Sequence, residues 1–161
     1  MVTMAVTGHM DLTEESVALV RAALRELLAG RGNGLTGVSC IAAGADSLFA
    51  EAVLEAGGRL VVVVPSRDYR AAKVKPGHAE LFDRLHGAAA EVVVMPNETA
   101  DRTAYESANR ELLARAERLV AVWDGTPPSG KGGGTADTVL EAQAAGIPVD
   151  IVWPEGASRR G

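Results

Sequence analysis

The chain has 161 residues, of which 47% are apolar, and a formal net charge of −5, enough length for one domain with a real core. No apolar run approaches the ~20 residues of a spanning helix, and the opening Met1–Val6 lacks the basic and long apolar regions of a signal peptide, so a cytoplasmic protein without a membrane partner is expected. Basic residues are scattered apart from Arg159-Arg160 and aromatics are scarce, so nucleic acid is expected not to be a partner.

The first strand-like run is Val2–Val6. A helix follows from about Thr13 to Ala29, with Asp11 and Glu14 resembling a capping box, one apolar face of Val17, Val20, Leu24, Leu27 and Leu28, and a stop at Gly30. Gly37–Ile41 is the second run, and Cys40 inside it reads as a small buried hydrophobe. As the only cysteine it excludes an internal disulfide. Asp46–Ala56 predicts a helix that buries Leu48, Phe49, Ala52 and Val53. Leu60–Val64 is the third strand and stops at Pro65. Ser66–Pro76 is the least regular stretch; a helix near His78–His86 then precedes the run Glu91–Met95. Asp101–Ala116 predicts a long helix, Leu119–Trp123 a fifth strand, Thr135–Ala145 a helix and Val149–Trp153 a last strand.

Alternating strands and helices predict an α/β, Rossmann-like three-layer sandwich around a mostly parallel sheet of about six strands. Near-continuous valine runs suit strands covered on both faces. Residues 1–154 read as a single domain and 155–161 as a flexible tail.

In such sheets ligands sit beyond the carboxyl ends of the strands, where the strand order reverses. Thr7, Gly8 and His9 follow the first strand; Gly44, Ala45 and Asp46 the second; Pro65 the third; Asp124 the fifth. Gly132, Gly133, Gly134 and Thr135 then open a helix. Glycines let backbone pass close to a ligand, and a helix N-terminus offers N–H groups and a positive dipole end to an anion. The convergence predicts a nucleotide-like ligand held by these residues. The competing reading is structural: tight α/β turns are rich in Gly and Asp whatever they bind. Asp46 suits a ribose hydroxyl or a helix cap, and Asp137, in the first turn after Thr135, favours the dipole but repels a phosphate. No metal site and no cofactor are expected.

Two near-motifs are set aside. Gly125-Thr-Pro-Pro-Ser-Gly130-Lys131-Gly132 departs from a P-loop at its last position, where Gly132 supplies no hydroxyl for magnesium. Thr7-Gly8-His9-Met10 has one glycine where a dinucleotide fingerprint has three.

The motifs Val6-Thr7-Gly8-His9, Gly44-Ala45-Asp46, Val63-Val64-Pro65 and Leu119–Gly125 leading to Gly133-Gly134-Thr135 resemble the SLOG superfamily. That group joins the Lonely Guy phosphoribohydrolases with the nucleotide-binding domain of DNA-processing protein A. The stretch from Tyr105 through Asn109 to Leu119 is similar to its small bacterial members. The resemblance implies a Rossmann-like fold, a homodimer, and a held nucleotide or nucleotide derivative, in a sensor role. The alternative it implies is a phosphoribohydrolase that cleaves the N-glycosidic bond of a nucleoside 5′-monophosphate. The Lonely Guy motif PGGxGTxxE places its glutamate at Thr138, which has no carboxylate. Asp137 is one residue off, turned about 100° around a helix. Asp137 and Asp46 are therefore the only catalytic candidates, and the binding reading is favoured over hydrolysis.

Overall fold

The computed structural model describes residues 1–130, 132 and 134–161. Six strands form one sheet: β1 (Val2–Gly8), β2 (Leu35–Ser39), β3 (Arg59–Val64), β4 (Glu91–Val94), β5 (Arg118–Val122) and β6 (Val149–Ile151). Their order is β4-β3-β2-β1-β5-β6, and every pair is parallel. The helices between them are α1 (Glu14–Leu28), α2 (Ala45–Glu55), α3 (Tyr69–Lys73), α4 (Pro76–Ala88), α5 (Arg102–Arg115) and α6 (Thr135–Ala144).

The order explains the layers. From β1 the chain steps outward to β2, β3 and β4, then returns across the sheet to place β5 on the other side of β1. Crossovers between parallel strands are right-handed, so this reversal puts the later helices on the opposite face. Val20, Leu24 and Leu28 of α1 and Phe49 and Val53 of α2 pack on Met4, Val6, Val120 and Val122. Phe82 and Leu85 of α4 continue that layer over Leu60, Val62 and Val64. Ala108 and Leu112 of α5, with Val139 and Ala142 of α6, cover Ala5, Val38, Val61, Val63, Leu119 and Ala121 from the other side. Successive residues of β3 therefore enter different layers, which is why its run of valines shows no polar alternation. The sheet is the predicted α/β Rossmann-like sandwich, parallel throughout.

Three local expectations change. Helix α1 is capped by Thr13, whose hydroxyl accepts from the Ser16 N–H at 3.2 Å, and Asp11 takes no part in the cap. The irregular stretch after β3 contains α3, and α4 begins at Pro76, which suits a first-turn position where no N–H is needed. Residues 155–161 are not a free tail. The Arg160 N–H donates to the Asp11 carbonyl (2.7 Å), Thr13 N–H to the Ser158 carbonyl (3.1 Å), and Ser158 N–H to the Ser16 hydroxyl (2.7 Å). Leu12 and Arg159 form an antiparallel bridge. The tail is tied by backbone bonds that its polar, glycine-ended sequence does not advertise.

Candidate ligand-binding site

At the carboxyl edge, where β1 lies between β2 and β5, the strand order reverses and a cavity of about 670 Å³ opens. Its walls come from the β1–α1 loop, the end of β2, α3, the inner face of α5, the loop after β5, the start of α6 and the C-terminal segment.

Of the residues expected at a ligand site, Thr7, Gly8, His9, Asp46, Pro65, Gly134 and Thr135 line the cavity, as does Asp137. Gly44, Ala45, Asp124 and Gly132 do not line it. Gly133 falls outside the described residues.

Two of the glycines answer to packing. A Cβ on Gly8 would collide with that of Ala45 and come within 2.8 Å of Val122 Cβ. Gly44 has φ +82°, and a Cβ there would sit 2.6 Å from the His9 carbonyl oxygen. The Ala45 N–H donates to that carbonyl at 3.1 Å, so the first turn of α2 is pressed against the β1–α1 loop. Both requirements are met by the chain touching itself, before any ligand enters. Gly132, with φ +75°, lies equally close to another element: a Cβ would be 2.5 Å from Arg102 Nε, at the start of α5.

His9 is buried, and its ring packs edge-on against Trp153, with centroids 5.7 Å apart. Nε2 is 3.1 Å from both the Asp124 amide nitrogen and Oδ1. Unprotonated, it accepts the amide N–H; protonated, it donates to the carboxylate. Burial, then the charge of Arg159, lowers the His9 pKa, against the pull of Asp124. Burial opposes ionisation of Asp124 too, but the Thr126 hydroxyl (2.6 Å) and N–H (2.9 Å), with His9, hold its carboxyl at about 2. Arg159 reaches Asp11 at 2.8 Å and Asp124 at 3.8 Å, closing this end of the site with the C-terminal segment.

At the end of β2, Ile41 is fully buried with φ +48°, a conformation that β-branched residues rarely adopt. His78 Nε2 on α4 lies 3.0 Å from the Ile41 carbonyl, and Ser47 Oγ donates to the Ala42 carbonyl at 2.7 Å. These bonds fix the turn that delivers Asp46. Burial pushes the Asp46 carboxyl up to about 7, against a hydrogen bond with the Ala42 backbone. The Asn97 amide bridges the Pro65 carbonyl (3.0 Å) and Ser107 Oγ (2.8 Å), pinning the end of β3 to α5.

The start of α6 is already occupied by the protein itself. The Asp137 carboxylate accepts the Gly134 N–H at 3.2 Å. Thr138 is fully buried, and its hydroxyl donates to the Gly134 carbonyl at 3.1 Å. The position where hydrolases of the resemblance carry glutamate is thus a satisfied core residue.

Tyr69, Lys73, Lys75, Tyr105 and Arg159 also line the cavity and were not anticipated, and Asn109 of α5 joins them. The helical spacing of Tyr105, Ala108, Asn109 and Leu112 on α5 carries a detectable signal, since residues three and four apart share a face. Lys73, Lys75 and Arg159 carry none, because their place depends on how α3 and the C-terminal segment fold back.

No family model and no curated protein matches the sequence. Solved structures do. DNA processing protein A from Streptococcus pneumoniae superposes with a TM-score of 0.70 at 18% identity over 96% of this chain. The Helicobacter pylori protein of the same name gives 0.68 at 17% identity over 98%. The structural-genomics target TM1055 gives 0.60 at 21% identity over 92%. The likeness is one of fold, a Rossmann-like parallel α/β sheet. The chain spans 51% of the S. pneumoniae structure, 68% of the H. pylori one and 72% of TM1055.

One expectation is overturned here. The H. pylori structure is described by its single-stranded DNA binding mode, so the exclusion of nucleic acid drawn from net charge does not stand. An overall charge of −5 averages the whole surface and does not describe the edge where a strand would lie. Among the described residues, no helix is long and apolar enough to cross a membrane.

Proposed function

We propose that this chain is a ligand-binding module that holds a nucleotide or nucleotide-derived molecule at the carboxyl edge of its sheet. The observation that carries the reading is the cavity at the strand-order reversal. Its volume of about 670 Å³ lies within the range of small-molecule sites, and it is lined by apolar surface with a few convergent polar groups. Burial and bonding of Thr138 favour binding, in a sensor role, over the cleavage of an N-glycosidic bond. An oxocarbenium-like transition state needs a carboxylate beside it, and Thr138 offers none. The fold shared with a DNA-binding protein supports a second reading, in which the same edge takes single-stranded DNA. Homodimerisation belongs to the proposal through the resemblance alone, and a cytoplasmic setting through the composition of the chain.

The test is a thermal-shift panel of nucleoside mono- and diphosphates, ADP-ribose, NAD and a single-stranded oligonucleotide. A ligand present at ~100 times its Kd adds about 2.7 kcal/mol of stability. A shift from a nucleotide that single strands do not reproduce supports the first reading. A shift from the oligonucleotide alone supports the second, and a flat panel removes both. Sedimentation as a monomer removes the dimer.

A further inference from the structure

One end of the cavity is built from three weak acids, each held toward its protonated form by burial. Cys40 closes β2, Asp46 opens α2 and Tyr69 opens α3, and all three line the cavity. Burial, then the neighbouring Asp46, pushes both the thiol and the phenol up. Asp46 has no ion-pair partner among the described residues. The charged groups of the wall lie on other elements: Lys73 on α3, Lys75 before α4, Asp137 on α6, and the Asp11–Arg159 pair, with the phenol of Tyr105 on α5. His9 turns its Nε2 to Asp124, away from this end.

A desolvated carboxyl without a cation is costly as an anion, and it binds best as a neutral acid. A neutral carboxyl presents one O–H donor beside one C=O acceptor. That pair matches a group offering an acceptor beside an N–H, as an amide or an aminopyrimidine edge does. A phosphate at this point would meet an acid with no countercharge. We propose that Asp46 is the specificity-determining residue of the site, binding the uncharged heterocyclic end of the ligand as a neutral acid, so that loss of its proton releases the ligand. This rests on the ligand-binding reading above and adds to it the orientation of the ligand and a proton-controlled affinity.

With its carboxyl at about 7, Asp46 would be mostly protonated at pH 6 and mostly ionised at pH 8. If only the acid binds, affinity falls about tenfold between those values. The experiment is calorimetric titration of AMP into wild type, Asp46→Asn and Asp46→Leu from pH 5.5 to 8.5, with circular dichroism to confirm folding. The AMP phosphate itself titrates near ~6, so the readout is the difference between wild type and variant. Asparagine keeps a donor beside an acceptor and cannot ionise, so Asp46→Asn should lose the about tenfold relative fall. Asp46→Leu should bind at least about tenfold more weakly than wild type at pH 6. The same pH slope in wild type and Asp46→Asn, or wild-type affinity in a folded Asp46→Leu, overturns the proposal while leaving the site itself intact. AMP failing to bind wild type at any pH removes this inference, whereas only the flat panel described above removes the nucleotide reading.

Discussion

Gly30 and Gly44 provide a contrasting pair for testing what holds the site together. Their φ angles are +80° and +82°, but Gly44 adds ψ −130°, outside the left-handed well, so alanine is strained at both and more so at Gly44. The penalty is about 1–2 kcal/mol at Gly30 and about 1–3 kcal/mol at Gly44, offset at both positions by about 0.4–1 kcal/mol from the stiffer unfolded chain. Their surroundings differ. A Cβ on Gly30 meets nothing within 4 Å, whereas one on Gly44 sits 2.6 Å from the His9 carbonyl and 2.8 Å from Met10 Cα. Neither neighbour is a flexible side-chain end, so relief requires the β1–α1 loop to move. Overpacking of this kind costs about 1–3 kcal/mol beyond the strain. Gly30→Ala should therefore cost about 1 kcal/mol or less, and Gly44→Ala about 2–4 kcal/mol. Urea denaturation of both variants measures the difference, and a panel nucleotide reports whether the cavity survives. Equal losses in the two variants would refute the claim that α2 is seated on the β1–α1 loop through Gly44.

The His9–Asp124 pair predicts an acid-side loss in two steps. His9 has a lowered pKa in the folded state, so the unfolded chain takes up that proton first and stability falls as pH drops through about 6.5. Asp124 is depressed to about 2, so its contribution is present above about 4 and is lost as pH falls from there toward 2. Asp124→Asn should flatten the lower step in denaturation curves taken from pH 8 to 2.5, and a folded-state His9 titrating above 6.5 by NMR would contradict the assignment. Removing residues 157–161 should raise amide exchange at Thr13 at least about tenfold, because its N–H loses the Ser158 carbonyl, whereas Arg159→Ala, which removes only side-chain ion pairs, should change it about fivefold or less. Thr138→Glu should cost about 3 kcal/mol or more by burying a charge in place of a bonded hydroxyl, and should release no base from AMP; a stable variant that releases adenine would reverse the argument from this position.

The parts of the fold that were legible in the sequence are those fixed by local pattern. The valine runs, the spacing of Val20, Leu24 and Leu28, and the glycines after α1, α2 and α6 all speak through residues a few positions apart. The carboxyl edge followed from the fold, since a parallel α/β sheet brings its strand ends to one side. What failed to show was long-range. Arg159 meets Asp11 across nearly the whole chain, and no periodicity encodes that meeting. Cap assignment failed for a smaller reason: Asp11 and Thr13 are both good caps by type, and the bond from Ser158 to the α1 terminus selects Thr13. The glycines of the site were visible, with a ligand reading and a structural one both open, and for Gly8 and Gly44 the structure supplies a packing cause. Residue type announces that backbone passes close to something, and only geometry says whether that something is a ligand or the next loop.

The error about nucleic acid has the same form. Net charge counts every ionised group equally, but most of the arginines here are engaged within the protein: Arg25 with Glu55, Arg70 with Asp83, Arg115 with Glu91 and Glu111, Arg118 with Asp150. Those pairs cancel locally and contribute little to the field a strand or a phosphate would meet at the carboxyl edge. Lys73 and Lys75 differ, for they line the cavity and form no ion pair among the described residues. The charge that a ligand meets at this edge is set by Lys73, Lys75 and Arg159 against Asp11, Asp137 and the ionised fraction of Asp46, a balance unrelated to the −5 of the whole chain. Because surface charges more than ~10 Å apart are screened at ordinary ionic strength, the local balance decides what the edge attracts. The net −5 of the chain therefore neither excludes nor predicts an anion at a cavity whose wall carries Lys73 and Lys75.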